Sequence, residues 1–295
     1  SFDHGAQYFT VRDARFRHTM EWALRNEPTV ARPWSANAVR VLDALGRVVA
    51  APLPVREPHW VAQPGMNALV RNWAAPLEIE HLRSRVTRVE GSAAKGWSLQ
   101  VMRADDSVRT HGGFDSVVLA IPHAQARELL QTSGLMLNWI GALDAVQAAP
   151  CWTMMLAFPH AMQPGLNSLG PQWNAARSTH HRIAWLARES SKPARDGIER
   201  WTVQASAGWS REHLEDDAER VTAKLLKAFA EITGIRAEPA YAESHRWRYA
   251  KTEQPLGQTH LWSAQDSIGL CGDWCLGHRV EDAFVSGLEL ALAAK

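Results

Sequence analysis

Cysteine is scarce in this chain of 295 residues, which contains only Cys151, Cys271 and Cys275. Three thiols are too few, and an odd number, for the disulfide framework that holds many small secreted proteins together. The sequence therefore predicts a protein of the reducing cytoplasm, in which these cysteines stay free.

An excess of charge of one sign is also absent, because the formal net charge is only +1. A chain with no basic excess has little to hold a polyanion, so nucleic acid is not expected as a partner. No apolar run in the sequence approaches the roughly 20 residues that a bilayer-spanning helix needs. No charged-then-apolar signal segment opens the chain. We therefore expect neither nucleic-acid binding nor membrane insertion.

The glycine pattern G-x-G-x-x-G, which lets a backbone approach the pyrophosphate of a dinucleotide, is missing from the sequence. The pairs Gly112/Gly113 and Gly272/Gly277 have the wrong spacing for it. The usual phosphate-binding loop is therefore not part of these 295 residues.

Tryptophan, in contrast, is abundant, with fourteen residues. Most of these indoles are expected to pack in the core or on the surface, but indoles also line flat cofactors and aromatic substrates. Binding of an aromatic ligand is therefore one function that the composition allows.

Alternating helical and strand patterns predict a mixed α/β (α+β) fold. Helices are expected at 13–26, at 66–74 after a turn at Pro64 and Gly65, from residue 123, at about 212–232 and at 281–293. The helix near 212–232 has the apolar stripe Leu214, Ala218, Val221, Leu225, Leu226 and Phe229. Strands are expected at 38–43, 47–51, 77–82, 85–91, 97–103, 107–114, 151–158, 182–189 and 200–206. Residues 114–122 are apolar for most of their length, which predicts a strand at the buried centre of a sheet.

The C-terminal stretch GLCGDWCLGHRVED offers Cys271, Cys275 and His278 within eight positions. A structural zinc site needs four ligands and usually repeats such a pair, and only Cys151 remains as a distant sulfur. A metal is therefore not expected. The alternative is a strand, SIGLC, followed by Asp273, a loop and a helix whose N-terminus can hold a phosphate or a ring carbonyl. Ser286 and Gly287 would let that helix pack closely on a sheet. An ordinary strand, turn and helix with an exposed aspartate is the other interpretation of this stretch.

Six segments resemble, in the same order, segments of the flavin-containing amine oxidase superfamily. They are FDHGAQYFT (2–10), PGMNALVRNWA (64–74), FDSVVLAIPHAQA (114–126), WLARESSKPAR (185–195), HRWRYA (245–250) and GLCGDWCLGHRVEDAFVSG (269–287). The sequence is most similar to the bacterial renalase-like branch of NAD(P)/FAD-dependent oxidoreductases. The resemblance implies a two-domain fold, with a discontinuous FAD-binding domain (1–12, 63–130 and 262–295) and a mostly antiparallel substrate domain (13–62 and 131–261).

The resemblance also implies a set of FAD-binding positions. They are Gly5, Ala6, Gln7, Val86, Ala120, Ile121, Pro122, Gly272, Asp273, Arg279, Val280 and Glu281. Asp273 would bind the ribityl or pyrophosphate side, and residues 120–122 would line the pyrophosphate. Residues 279–281 would turn backbone N–H groups to the pyrimidine end of the isoalloxazine. Val86 would contact the adenosine, and residues 5–7 would lie beside the flavin ring.

Positions on the substrate side follow from the same resemblance. The catalytic candidates are His245, Trp185 and Tyr249. The substrate-binding candidates are Arg188, Arg246, Trp247 and Arg248. Arg188 and Arg248 would hold a carboxylate or a phosphate. Each of these side chains has a structural alternative: a solvated or ion-paired arginine, or a hydrogen-bonded structural histidine.

The function implied by the resemblance is FAD-dependent oxidation of a small molecule. A C–H beside nitrogen would give a hydride to the flavin, and O₂ would take the electrons and form H₂O₂. The renalase-like branch points to dihydronicotinamide-type substrates, NAD(P)H or an isomer of it, rather than simple amines. The alternatives are a truncated family member without stable FAD and without activity, or an aromatic-ligand-binding protein.

This sequence departs from the family at its beginning. The family starts with a strand, G-x-G-x-x-G, a helix and a second strand ending in an acidic residue, a unit of about 30 residues or more. The chain looks like a member that begins after that unit, through a shortened gene, a trimmed protein or an incomplete sequence. Such a chain would lack the main phosphate contacts of FAD, and residues 114–122 and 267–271 would have exposed strand edges.

Overall fold

The computed structural model describes residues 1–34, 39–50, 57–79, 83–159, 171, 173–195 and 197–295. The chain divides into two compact units. The first unit contains Ser1–Arg12, Arg17–Pro76 and Ala149–Lys251. The second unit contains Asp13–Phe16, Leu77–Ala148 and Thr252–Lys295. Which segments bind FAD and which bind substrate stays a prediction.

Helices and strands alternate along the described residues. The helices are α1 (Ala14–Asn26), α2 (Ala68–Ala74), α3 (His123–Thr132), α4 (Ala207–Glu212), α5 (Ala218–Thr233) and α6 (Val280–Ala293). The strands of the first half are β1 (Ala31–Trp34), β2 (Val39–Leu42), β3 (Val48–Ala50), β4 (His59–Ala62), β5 (Arg85–Ser92), β6 (Gly96–Met102), β7 (Val108–Phe114) and β8 (Val117–Leu119). Those of the second half are β9 (Gln147–Phe158), β10 (Ala175–Ser178), β11 (Ile183–Arg188), β12 (Glu199–Ala205), β13 (Tyr241–Gln254), β14 (Leu261–Ser263) and β15 (Ile268–Leu270).

The first unit is organised by a seven-stranded sheet with the order β13-β9-β12-β11-β10-β2-β3. Its middle strands pair antiparallel, whereas β10 pairs with β2 in parallel. A separate antiparallel pair joins β1 to β4. The N-terminal segment lies along β4, because Phe9 and Trp60 exchange two backbone hydrogen bonds of 2.9 and 2.8 Å. This pairing places residues 3–8 beside the strands of the unit.

Helix α5 covers this sheet with the apolar stripe that the sequence predicts. Val221, Leu225 and Phe229 are fully buried, and the Phe229 ring packs 5.6 Å from Trp201 on β12. Each large apolar side chain buried in this way contributes on the order of 2–3 kcal/mol. The helix ends at Gly234, whose left-handed conformation suits glycine best.

The second unit contains two three-stranded sheets. β5, β6 and β7 form an antiparallel meander, as the hairpin pattern predicts, and the other sheet has the order β14-β15-β8. In that second sheet β15 pairs with β8 in parallel and with β14 antiparallel. Helix α3 and the loops beside it bury Leu130, Leu143 and Trp274 against these strands.

The helix predicted at 212–232 begins later than expected. Asp217 caps the N-terminus of α5 by accepting the N–H groups of Glu219 and Arg220, so the helix begins at Ala218. The short α4 precedes it and ends at Glu212. Leu214 therefore lies outside the helix and Ala218 is exposed, which corrects two members of the predicted stripe. A capping aspartate is a stronger boundary signal than apolar periodicity alone.

Two strand predictions are wrong. Residues 77–79 form no strand and expose Leu77 and Ile79; the rest of that predicted strand, 80–82, lies outside the described residues. The apolar run 114–122 forms a strand only over β8, which lies at the edge of the described sheet rather than at its centre. Val118 is 48% exposed while Val117 and Leu119 are buried, because only one face of β8 is covered. Two further predicted strands, 38–43 and 47–51, are described only in part, because residues 38 and 51 lie outside the described residues.

Candidate functional site

In the second unit, the carboxyl ends of two parallel strands meet at one edge. Leu270 on β15 stands opposite Leu119 on β8, and the N–H of Cys271 donates to the carbonyl of Leu119 at 3.2 Å. Residues 120–122 follow β8 and lead into α3, and residues 272–273 follow β15 and lead into the loop before α6. Ligands of open α/β sheets bind at this kind of edge. The structure thus brings together Ala120, Ile121, Pro122, Gly272 and Asp273.

The loop after β15 is held by its own backbone and by one indole. Trp274 is buried, and its Nε1 donates to the carbonyl of Ile121 at 3.0 Å. A Cβ atom on Gly272 would lie 2.4 Å from the same Nε1, so only glycine fits there. The N–H of Gly272 donates to Oγ of the buried Ser286 at 3.0 Å. A Cβ atom on Gly287 would meet nothing within 4 Å, so the predicted close packing at Gly287 is wrong and Ser286 makes the contact.

Asp273 is the ionisable group at this edge. Burial raises the pKa of its carboxyl, and the negative charge of Asp282 raises it further, while backbone N–H groups of residues 273–274 oppose these effects. Among the described residues, the hydrogen bonds that lower its pKa come from backbone N–H groups of its own turn. A half-buried carboxylate with spare acceptor capacity is suited to accept hydrogen bonds from hydroxyl groups of a ligand.

The N-terminus of α6 follows this loop. The N–H of Arg279 donates to Oδ2 of Asp282 at 2.9 Å, and the arginine side chain is exposed. The carboxylate of Glu281 is buried and accepts the N–H of Asp13 at 2.6 Å, so its side chain joins α1 to α6. The backbone of residues 280–281 forms the first turn of α6. Val86 is half-buried opposite Val101 on the meander and packs against the apolar cluster that includes Trp274.

In the first unit, the N-terminal segment that carries Gly5, Ala6 and Gln7 is fixed by side chains from distant strands. Nε2 of Gln204 on β12 donates to the carbonyl of Gly5 at 2.9 Å, and Nε1 of Trp247 on β13 donates to the carbonyl of His4 at 2.9 Å. Ala6 is exposed between these anchors. The backbone of the segment is thus held while part of it stays open to solvent.

A buried ionic group that the sequence analysis missed holds the same segment. We call Asp3, Glu189, Lys192 and Arg195 the Asp3 cluster; none of the four is more than 8% exposed. Nζ of Lys192 lies 3.0 Å from Oδ2 of Asp3 and 2.8 Å from Oε1 of Glu189. Nη1 of Arg195 binds Asp3 and lies 2.9 Å from Oε2 of Glu189. Two positive and two negative groups thus compensate each other away from water.

The Asp3 cluster extends to neighbouring polar groups. Asp3 also accepts the N–H of Met66 at 3.0 Å, and Nη2 of Arg195 donates to the carbonyl of Ala62 at 2.8 Å. Nζ of Lys192 lies 3.3 Å from Oε1 of the buried Gln7. Three of the four charges lie within the segment WLARESSKPAR and the fourth in FDHGAQYFT, yet no spacing rule pairs residue 3 with residue 192. The sequence offers one signal for this cluster, which is that its charged residues all lie in two of the segments that resemble the family.

Strand β13 separates the predicted substrate residues onto its two faces. One face carries every second residue, namely His245, Trp247 and Tyr249. On this face the Trp247 ring lies 4.5 Å from the His245 ring and 5.3 Å from the His4 ring. Tyr249, at the far end, is 39% exposed.

On the opposite face, Arg246 and Arg248 both bind Glu215. Nη1 of Arg246 lies 2.9 Å from Oε2 of Glu215, and Nη2 of Arg248 donates to the same oxygen at 2.8 Å. Nη1 of Arg246 also donates to the carbonyl of Leu214 at 2.7 Å. Both guanidinium groups are therefore committed to a local ion pair.

Trp185 and Arg188 lie on β11. The Trp185 ring is buried 5.9 Å from the Tyr8 ring, and its Nε1 has no hydrogen-bond partner in the described part of the chain. Arg188 donates to the carbonyl of Pro171 at 2.7 Å, and its Nε lies 2.9 Å from Oε1 of Glu199. Trp185 thus carries an unused donor, whereas Arg188 is held by protein partners.

The cysteines after β15 are shielded from reaction. Cys271 and Cys275 are both buried, and burial raises the pKa of the Cys275 thiol to about 11. This thiol therefore stays protonated at neutral pH, and a thiol in that state is a poor nucleophile and a poor metal ligand.

Of the helices that the structure describes, none has the length and apolarity to cross a membrane.

Sequence and structure comparisons agree with this architecture. The family model of flavin-containing amine oxidoreductases matches residues 51–293, and the chain belongs to this family. A proposed protoporphyrinogen oxidase from Exiguobacterium sp. 255-15 is similar, with a TM-score of 0.57 and 16% identity over 79% of this chain and 52% of that one. A putrescine oxidase triple mutant with redesigned cofactor binding is similar too, with a TM-score of 0.56 and 13% identity over 80% of this chain and 53% of that one. The fold is thus that of FAD-dependent amine oxidases, and the chain spans about half the length of these two structures.

The residues at the second unit's strand ends fit a flavin nucleotide. The family implies a flavin cofactor. Asp273 offers an acceptor with spare capacity, the backbone of residues 280–281 opens a 14-residue helix, and glycine at 272 brings the chain close to the indole of Trp274. These are the donor and acceptor types that ribityl hydroxyls and a ring carbonyl require.

Proposed function

We propose that the protein is an FAD-dependent oxidoreductase of the renalase-like branch. Its substrate would be a dihydronicotinamide-type molecule, NAD(P)H or an isomer of it, or an amine. The observation that carries this proposal is the meeting of residues 120–122 and 272–273 at the ends of β8 and β15, in a chain of the flavin-containing amine oxidoreductase family.

The nucleotide contacts would come from the loops after β8 and β15 and from the start of α6. Asp273 would accept hydrogen bonds from the ribityl or pyrophosphate side, and residues 120–122 would line the pyrophosphate. The backbone N–H groups of residues 280–281, reinforced by the dipole of α6, would serve the pyrimidine carbonyl of the ring. Val86 would contact the adenosine. The side chains of Arg279 and Glu281 are not needed for these roles.

The substrate contacts would come from the positions on β11 and β13 that the resemblance names. Bound FAD would supply the redox chemistry, which is acceptance of a hydride from a substrate C–H and transfer of two electrons, together with two protons, to O₂ to give H₂O₂. The backbone of residues 5–7, held by Gln204 and Trp247, would border the flavin. His245, Trp247 and Trp185 would orient the substrate ring, and the unused Nε1 of Trp185 would donate to a polar group on it. The cytoplasmic location expected from the low cysteine content stays a prediction.

The first test is the visible absorption spectrum of the purified protein, before FAD is added and after FAD is added and the sample is gel-filtered. A retained flavin band supports the proposal. Asp273→Asn is expected to weaken FAD retention about tenfold or more, because it replaces a charged acceptor with a neutral one. The matched control is Asp115→Asn at an exposed position, which should retain flavin like the wild type.

Turnover is the second test. Peroxide formation with isomers of NAD(P)H, compared with simple amines, separates the two substrate classes. If no flavin is retained even with excess FAD, this chain is a family member without activity. In that case, quenching of tryptophan fluorescence by aromatic ligands would identify an aromatic-ligand-binding protein instead.

A further inference from the structure

Three aromatic side chains on the first unit form a tight group in which two are histidines. The His4 and His245 rings lie 4.9 Å apart edge to face, and Trp247 contacts both. The resemblance assigns roles to His245 and Trp247 but none to His4. His4 is placed in the group because Trp247 donates to its carbonyl and stacks on its ring at an angle of 20°.

Within the described residues, neither ring nitrogen of His4 or of His245 makes a hydrogen bond. Nδ1 of His4 is buried, whereas the residue as a whole is only half-buried. Nε2 is therefore the nitrogen through which His4 reaches a ligand.

The other positive groups of this region are already paired. Arg246 and Arg248 face the opposite side of β13 and bind Glu215. Lys192 and Arg195 are compensated within the Asp3 cluster. An anionic substrate group on the His245 face of β13 therefore finds imidazoles rather than arginines.

We propose that His4 and His245 together bind an oxyanion of the substrate, either a carboxylate or a phosphate. His4 donates from Nε2, and His245 takes up the proton that balances the anion. The inference rests on the proposed function only where it assigns the anion to the substrate of that enzyme.

The division of roles follows from burial. Nδ1 of His4 has no acceptor within the described residues, and a buried donor without an acceptor is costly, so His4 donates through Nε2. Neither ring nitrogen of His245 is a buried atom without a partner, so protonation of this ring leaves no buried donor unsatisfied. Burial and the neighbouring His4 lower its pKa, and Glu243 on the same strand raises it. Glu243 itself accepts the hydroxyl of Tyr241. His245 is therefore neutral at neutral pH without a ligand, and an anion would raise its pKa.

The experiment is a titration of the purified full chain with sodium sulfate, and separately with sodium acetate, at constant ionic strength from about pH 5 to about pH 8. Sulfate represents a phosphate without titrating in this range, and acetate represents a carboxylate. The histidine ring nitrogens are followed by ¹⁵N NMR. In the wild type, affinity for the preferred anion should fall about tenfold for each pH unit above the pKa of His245, because binding requires the proton.

Three variants sharpen the titration. His245→Gln should bind the anion weakly and without pH dependence. His4→Phe keeps a ring against Trp247 but removes Nε2, so it should bind about tenfold more weakly while keeping the pH dependence. His18→Gln, at an exposed position of α1, should behave like the wild type.

Absence of any response of His4 and His245 to both anions would overturn the inference, as would wild-type affinity in His4→Phe. The titration is repeated after FAD is added. A normal anion response without flavin retention would refute the proposed function alone, whereas retained flavin without an anion response would refute only the two-histidine site.

Discussion

The candidate regions of the two units are held by different kinds of interaction. In the first unit, residues 3–7 are held by long-range side-chain contacts, above all the Asp3 cluster, whose Asp3 and Lys192 are 189 positions apart. In the second unit, the loop after β15 is held by backbone pairing, one glycine and one indole. Asp273 and Trp274 of that loop lie within four residues of the end of β15. A site built from local backbone geometry tolerates changes in charge, whereas a site held by buried charges does not.

Removing one charge from the Asp3 cluster is expected to have the largest effect. Lys192→Met leaves Asp3 and Glu189 with Arg195 as their only cation, and breaking a buried ion pair in this way costs about 3–5 kcal/mol. Urea unfolding measures the loss. Lys227→Met on the exposed face of α5 is the matched control and should change stability by less than about 0.5 kcal/mol. Equal effects of the two variants would show that the cluster does not hold the first unit.

Two glycines of the second unit test the role of backbone geometry. Gly272→Ala pushes a methyl group against Trp274 and should cost about 1–3 kcal/mol, with loss of flavin retention. Gly287→Ala adds a methyl group to open space within α6 and should stabilise the protein by about 0.5–1 kcal/mol. Thermal unfolding and the flavin absorption band distinguish the two variants. Similar melting temperatures of both would contradict the close contact between Gly272 and Trp274.

Asp273 should show opposite effects on stability and on cofactor binding. A raised carboxyl pKa means that the folded state favours the neutral form, so stability falls as the pH rises through that pKa. Asp273→Asn should therefore stabilise the flavin-free protein at neutral pH by about 0.5–2 kcal/mol while weakening FAD retention. The gain should vanish in acid, below the pKa. A variant that is destabilised at neutral pH would show that the carboxylate already has adequate partners.

The smallest expected effect concerns the start of α1. A hydrogen bond from the Arg15 side chain lowers the pKa of Asp13 to about 2, and Asp13 also accepts the N–H of Arg15 at 2.8 Å. Its stabilising contribution is therefore present above the usual carboxyl pKa and is lost as the pH falls towards about 2. Asp13→Ala should cost about 1 kcal/mol at neutral pH. Asp13→Asn keeps an acceptor and should cost less, and identical losses in both variants would assign the effect to charge alone.

Local patterns in the sequence predict much of the fold. The meander of β5–β7, the strands β9, β11 and β12 and the stripe of α5 from Val221 onward are confirmed, because each depends on periodicity within a few residues. The wrong predictions are those that depend on what covers an element. Residues 77–79 and 114–122 are apolar enough for strands, but pairing partners decide whether a strand forms and which face is buried.

The sequence by itself determined the strand, loop and helix around Asp273, because that stretch carries its glycine, its acid and its helix start within ten residues. It also determined the family, through segments in a recognisable order that the family model matches over residues 51–293. Only the tertiary structure decided that Lys192 neutralises Asp3, that Arg246 and Arg248 are held by Glu215, and that His4 meets His245. These contacts join residues far apart in the chain, where a charge or ring finds its partner only after the sheet has aligned the strands that carry them.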